Sequence, residues 1–259
     1  MKETMVSTRE LLAPPLPYDA FQSSLLLGEA DFSFADAFSK IFSGTITATE
    51  VLPGDKLLAI YPQLAVTLPD MLKRTNVQHI LSGVDAKRLG DADCSCLPFN
   101  AETMSFSAPA TCTTNFWNLL AHVNTPPIDL VIFNFPHTEK FGKAPKLLKR
   151  MFAALEQIIL LDDNINKNQP QGRRRISQHC VVELRLRDLE RCTRKARVDY
   201  QQEVAAAASH FSLVGVYNND LVTAWEPRGY QHCISGQNRS CGRGMPCEVW
   251  RWRYHPGKE

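Results

Sequence analysis

Residues 25–34 read LLLGEADFSF. The apolar run over residues 23–27 predicts a short buried strand that ends at Gly28. Residues 31–42 carry Phe34, Ala37, Phe38, Ile41 and Phe42 at helical spacing and predict a helix. A strand, a glycine turn and a helix start make up the ligand-binding end of a doubly wound sheet, because ligands sit beyond the carboxyl ends of its strands. A glycine at Gly28 lets the backbone come close to a ligand. The stretch is not G-x-G-x-x-G, since Ala30 holds the place of the second glycine. The simpler reading is a tight turn with Asp31 as the helix N-cap.

The same alternation continues outward. Residues 44–50 (GTITATE) predict a second strand, 77–84 (VQHILSGV) a third and 128–133 (IDLVIF) a fourth. Residues 57–74 read as helix with breaks near Pro62 and Pro69, and residues 115–123 as a short amphipathic helix. A long helix is predicted over 146–161, then a polar loop over 162–175. Strands at 179–186, 211–217 and 247–252 follow, with a helix at 198–210 and a Gly/Ser/Arg loop at 231–245. Alternation of this kind implies an α/β fold, a mostly parallel sheet with helices on both faces. The last two strands have no helix between them, so the C-terminal strand is expected to run antiparallel. We read an N-terminal extension over 1–22 and a single domain over 23–259.

Composition bounds the partners. The chain has 259 residues, 44% hydrophobic and 22% charged, as ordinary globular domains have. Residues 1–21 lack the apolar core of a secretory signal, and no apolar run reaches the ~20 residues needed to span a bilayer. No membrane association is expected. The eight cysteines are too sparse for a disulfide scaffold and are expected to be reduced. Cys233, Cys241 and Cys247 near His232 match no strong zinc spacing, so no structural metal is expected. The formal charge of +2 hides a split: residues 1–138 hold 8 Lys and Arg against 14 Asp and Glu, and the remainder holds 21 against 13. A basic half of this kind either faces a polyanion or is a solvated surface.

The candidate site residues sit at the predicted strand ends. Glu29 and Asp31 would repel a pyrophosphate at a helix N-terminus, and they suit a ligand with a cationic centre. S-adenosylmethionine, with its sulfonium and ammonium groups, is such a ligand. Glu50 ends the second strand, where an acidic residue commonly takes ribose hydroxyls, and Asp85 after the third could serve an adenine. Asn134-Phe135-Pro136-His137 follows the fourth strand. Asn134 and the carbonyls after it can hydrogen-bond a base edge, and Phe135 or His137 can stack on its face. A strand-terminating turn at Pro136 is the plainer alternative.

The segments LLLGEADFSFA (25–35), TATE (47–50), GVDAKRL (83–89), DLVIFNFPHT (129–138) and RGYQHCISG (228–236) occur in this order. Together they resemble the 25S rRNA uridine-N3 methyltransferase-like family, S-adenosylmethionine-dependent enzymes on a Rossmann-like fold. The match is specific at the first and fourth of these motifs. The resemblance implies that Gly28, Glu29, Ala30, Asp31, Phe32, Ser33 and Phe34 bind the cofactor. It also implies that Asn134, Phe135, Pro136 and His137 face the transferred methyl. The chain departs from the family pattern at four places. Ala30 replaces the second glycine, Glu139 the glycine after the fourth motif, and Leu52 an aspartate after the second strand, for which Glu50 could substitute. The PYxxW pattern is missing, with only Tyr200 near it.

Uridine N3 carries a proton at neutral pH, so its methylation needs a base. His137 is the first candidate for that base and Asp31 the second. N3 lies on the pairing edge, so the target must be flipped out and stacked, with Phe135 as the platform. Lys140, Lys143, Lys146, Lys149 and Arg150, then Arg173, Arg174 and Arg175, and further Arg185, Arg187, Arg191, Arg194, Lys195 and Arg197, are candidates for phosphate contacts with ribosomal RNA or a pre-ribosomal particle. Trp225, Tyr230, Trp250 and Trp252 are candidates to stack on bases, although Trp250 and Trp252 have the period of one strand face. A nuclear or nucleolar location is expected, with cytoplasm or mitochondrion as alternatives. A catalytically silent RNA-binding relative and a small-molecule methyltransferase are the competing functions.

Overall fold

The computed structural model describes residues 18–91, 94–107, 115–121, 126–134, 144–168, 174–187, 202–219, 225 and 247–257. Its centre is β1 (Ser23–Leu27), every residue of which is buried. Around it are α1 (Ser33–Ser39), β2 (Thr45–Glu50), α2 (Gly54–Ile60), α3 (Leu64–Leu72), β3 (Val77–Ser82), β4 (Leu97–Asn100), β5 (Ser105–Phe106) and α4 (Phe116–Ala121). Then come β6 (Ile128–Asn134), α5 (Ala144–Asn168), β7 (Ile176–Arg187), a short helix α6 at 202–207, β8 (Phe211–Asn219) and β9 (Cys247–Tyr254).

Among the described residues nine strands form one sheet in the order β5-β4-β3-β2-β1-β6-β7-β9-β8. The stretch from β3 to β7 is parallel throughout. β9 runs antiparallel to both β7 and β8 and lies between them, so the last strand is inserted rather than added at the edge. Chain order reverses between β1 and β6, which makes their carboxyl ends the topological switch point.

Both faces of the sheet are covered, which is why its central strands are almost continuously apolar. One face packs Leu25, Leu27, Val131, Val182 and Leu184 against α4 and α5 through Phe116, Leu148, Phe152 and Leu155. The other packs Leu26, Ile46, Ala48, Leu130 and Ile132 against α1 and α3 through Phe34, Phe38, Leu64 and Leu68.

Several element limits differ from the sequence reading. The segment expected as a loop over 162–175 begins as helix, because α5 continues to Asn168. Its polar end is held down by Asp162, whose Oδ2 accepts the Arg175 N–H at 2.7 Å. Pro62 does separate α2 from α3, but Pro69 lies inside α3 and removes one hydrogen bond without ending the helix. The hairpin β4–β5 went unread. Its turn is made by Asn100, whose side chain accepts the N–H groups of Glu102 and Thr103 at 2.8 and 3.2 Å. The extension expected before residue 23 also contributes to the interior. Tyr18 packs edge-on against Phe38 and reaches β7 with its hydroxyl.

Candidate active site

The turn after β1 is built from backbone geometry. Gly28, Ala30 and Phe32 all have positive φ, at 67°, 52° and 56°. Glycine is required at 28, since a Cβ there would lie 2.7 Å from the Phe133 ring. Ala30 takes the left-handed conformation that a glycine would hold at lower strain, so the turn survives the replacement. Three bonds fix its path. Glu29 N–H donates to the Thr49 carbonyl at 3.1 Å and Phe32 N–H to the Glu29 carbonyl at 3.0 Å. Ala30 N–H donates to Glu50 Oε2 at 2.8 Å.

Glu50 is therefore the tie between the β1 turn and the end of β2, and it is fully buried. Its other oxygen accepts the Leu52 N–H at 3.4 Å, and its carbonyl accepts Val84 N–H at 3.0 Å beyond β3. Asp85 is half-buried and caps the short helical turn after β3, with Oδ1 accepting the Lys87 N–H at 2.9 Å. Asp31 Oδ1 accepts the Ser33 N–H at 3.1 Å. Its place as helix N-cap passes to Phe32, and Glu29 Oε2 reaches forward to accept the Ala35 N–H at 2.8 Å. A side-chain carboxylate thus satisfies one of the open donors at the start of α1.

The second half of the site is charged and buried. Asn134, the last residue of β6, donates from Nδ2 to Glu29 Oε1 at 3.0 Å. Its Oδ1 accepts from Arg185 Nη1 at 2.7 Å. Arg185 Nη2 donates to Glu183 Oε1 at 2.6 Å and to the Tyr18 hydroxyl at 2.9 Å. Tyr18 donates to the same Glu183 oxygen at 2.8 Å. The remaining Glu183 oxygen takes Arg251 from β9, with Nε and Nη2 both 2.9 Å away. The guanidinium of Arg185 stacks 4.3 Å from the Phe34 ring centroid and 5.3 Å from that of Trp225. Burial pushes the Glu29 carboxyl up to about 8, against the opposing pull of Ala35 N–H, Asn134 and Arg185. Burial first, and then the Glu183 carboxylate, hold the Tyr18 hydroxyl protonated far above the usual tyrosine range.

The carboxyl edge of the sheet thus brings together Gly28 to Phe34, Glu50, Asp85 and Asn134. Two of these are turned differently from the sequence reading. The Asn134 amide is engaged by protein groups at both ends, so its side chain does not offer a free base-reading edge. Glu29 likewise spends both oxygens on Ala35 and Asn134. Lys146, Lys149 and Arg150 lie exposed at the start of α5, with Lys149 3.4 Å from Glu203. Arg174 and Arg175 are not brought to this edge. They precede β7 at the amino end of the sheet, paired with Asp163 and Asp162, and Arg175 lies 6.0 Å over Trp117. Arg185 is fully buried and cannot meet a phosphate. Trp225 is buried against Phe34 rather than free to stack on a base, and Trp250 and Trp252 share one buried strand face. Phe135, Pro136, His137, Lys140, Lys143, Arg173, Arg191, Arg194, Lys195 and Arg197 lie outside the described residues, as do His232, Cys233 and Cys241. Cys94, Cys96 and Cys180 are buried. Among the described residues no group of His, Cys, Asp and Glu could hold a metal, and no helix is long and apolar enough to cross a membrane.

A family model described as rRNA (uridine-N3-)-methyltransferase, BMT5-like, matches residues 25–217. The chain belongs to that family. The match runs from the first residue of the glycine-turn motif to within β8, so it takes in the carboxyl ends of β1, β2, β3 and β6. The chain is therefore an rRNA methyltransferase. Its strand order, with an antiparallel last strand inserted beside the parallel set, is the Rossmann-like methyltransferase arrangement. No curated protein matches the chain in sequence. Among solved structures it is similar to a 16S rRNA (adenine(1408)-N(1))-methyltransferase mutant with SAM from Catenulisporales acidiphilia. The identity there is 11% and the TM-score 0.44, over 99% of this chain and 95% of that one. It is also similar to TrmN from Thermus thermophilus, at 13% identity and TM-score 0.43, over 90% of this chain and 44% of that one. A putative RNA methyltransferase from Pyrococcus horikoshii has 11% identity and a TM-score of 0.41, over 90% of this chain and 74% of that one.

The residues at the carboxyl edge fit S-adenosylmethionine. Gly28 and Ser33 are partly open at the switch point, Val51 is 46% exposed beyond β2, and Asp85 is half-buried beyond β3. Backbone close to the ligand, an apolar side chain for a ring face and a carboxylate for an amino group are what an adenosine with a cationic tail requires.

Proposed function

We propose that this chain holds S-adenosylmethionine across the carboxyl ends of β1, β2 and β3 and methylates N3 of a uridine in large-subunit rRNA presented at the end of β6. The observation that carries this reading is the 3.0 Å bond from Asn134 to Glu29. It sets the start of the Asn134–His137 segment directly against the glycine turn, so acceptor and donor segments meet at the switch point. When bound, the cofactor supplies an electrophilic methyl group for in-line displacement, and positioning is then most of the catalysis.

The protein's share is orientation and one proton. Gly28 keeps the turn tight, Glu50 holds it to β2, and Asp85 takes the adenine side. His137 accepts the N3 proton, and Phe135 stacks on the extruded uracil. Lys146, Lys149 and Arg150, exposed at the start of α5, take phosphates. The substrate makes a nuclear or nucleolar location the natural one. The turn at Ala30 keeps its positive φ, which favours the active enzyme over a silent relative.

Incubating the protein with labelled S-adenosylmethionine and unmodified large-subunit rRNA tests this. Base-resolved mass spectrometry is expected to find N3-methyluridine with wild type and a loss of it with His137→Ala. No heat on titrating S-adenosylmethionine into the protein, together with salt-sensitive RNA binding, would establish the silent relative instead.

A further inference from the structure

The buried charges of β7 and β9 serve no role in the mechanism above, yet they end on its central residue. Arg185, Glu183 and Arg251 are 0%, 0% and 1% exposed. Burying ions is unfavourable unless their partners are exact, and an apolar trio of similar volume is commonly at least as stable. Stability alone therefore does not account for an arginine at 185. Its geometry does. The planar fork gives Nη1 to Asn134 and Nη2 to Glu183 and Tyr18, and the Phe34 and Trp225 rings close its faces. Arg185 and Asn134 are register partners on adjacent strands.

We propose that Arg185 is a positioning residue for methyl transfer: anchored by Glu183, it fixes the Asn134 amide with Nδ2 toward Glu29, and so sets the point where the chain leaves β6 for Phe135–His137. A guanidinium donates only, so it admits Oδ1 and excludes the flipped amide. The flipped amide would point an N–H₂ group at a cation and leave Glu29 facing an oxygen. The exit of β6 is thus locked to the β1 turn on one side and to the Arg185–Glu183 pair on the other. Lysine cannot reproduce this, since its single ammonium lacks the two-armed planar geometry. The inference rests on reading the β1/β6 switch point as the place of methyl transfer.

Two measurements test it. In the first, Arg185→Lys is compared with wild type at saturating cofactor and RNA. The expected result is a fall in kcat of about tenfold to a hundredfold, as for a small misplacement of reacting groups, with both KM values within about threefold. The losses from Arg185→Lys and Asn134→Ala should be strongly non-additive, because once the amide is gone its anchor has nothing to hold. An unchanged kcat in folded Arg185→Lys, or additive losses, overturns the proposal. The second measurement needs no cofactor. The side-chain amide protons of Asn134, followed by NMR exchange, should be protected in wild type and exchange freely in Arg185→Lys while the β6 and β7 backbone amides stay protected. Equal protection of the amide in both proteins overturns it as well. A wild type that transfers no methyl to rRNA while its Asn134 amide loses protection in Arg185→Lys defeats the functional reading and leaves the lock itself standing. The reverse pattern defeats only the lock.

Discussion

The two faces of β7 are buried to the same degree and hold opposite chemistry. Val182 and Leu184 point into an apolar cluster with Trp250, Trp252 and Phe152, where shape and area do the stabilising. Glu183 and Arg185, their immediate neighbours, point into a cluster of charges capped by Tyr18, Phe34 and Trp225. The apolar face tolerates substitution gradually, since each lost methylene has its own modest cost. The charged face is all or nothing, because removing any one member strands another ion away from water. That face leads to the site, and the apolar face does not.

Breaking the charged face should have the largest effect. Glu183→Ala is expected to lower unfolding free energy by about 3–5 kcal/mol, since it abandons two buried guanidinium groups. Leu184→Ala, on the opposite face of the same strand, should cost about 2–4 kcal/mol. The sharper version replaces the cluster whole. Glu183→Leu, Arg185→Met and Arg251→Met together should recover most of the stability in urea unfolding and still leave methyl transfer impaired.

The β1 turn depends on backbone rather than charge, and Gly28→Ala probes that contrast. A Cβ 2.7 Å from Phe133 at a φ of 67° should lower stability by about 2–3 kcal/mol. The pH dependence separates the faces again. Glu29 is held at about 8 against its ordinary 4.5, so folding favours its protonated form. Its contribution is complete below pH 4.5 and is lost as pH rises to 8. Across that window wild type should lose stability relative to Glu29→Gln, at up to about 1.4 kcal/mol per pH unit. The smallest effect is expected at Ala30→Gly, a gain of about 0.5 kcal/mol, as relief of the left-handed alanine slightly outweighs the extra freedom of the unfolded chain. Chemical denaturation at fixed pH reads each of these.

These contrasts also show which parts of the molecule were legible in the sequence. LLLGEADFSF announced the β1 turn and its helix, and IDLVIFN the opposing strand, because buried parallel strands are short apolar runs with little else to imitate them. The family motifs at 25–35 and 129–138 gave the site its two halves. The charged cluster was not legible. VVELRLR and EVWRWRY alternate apolar and charged residues, which in sequence looks like a strand with one wet face. Only the register, Glu183 opposite Arg251 and Asn134 opposite Arg185, reveals that the charges neutralise each other. For the same reason Arg185 counted as a phosphate contact in sequence and proved to be an internal tie. Arg174 and Arg175 went astray because helix α5 runs about two turns beyond its apolar periodicity and delivers Asp162 and Asp163 to them.

The placement of β9 between β7 and β8 has a kinetic consequence. β8 is made before β9 and, among the described residues, pairs with β9 alone, so within this sheet it waits for the last strand to arrive. Glu183 likewise waits for Arg251, 68 residues further on, and Tyr18 closes over the pair from 165 residues upstream. Contacts so distant in sequence form late, after the loop-closure entropy has been met by the rest of the sheet. Arg251 variants should therefore accelerate unfolding far more than they slow folding, which makes the last-inserted strand the clasp that sets the lifetime of the folded enzyme.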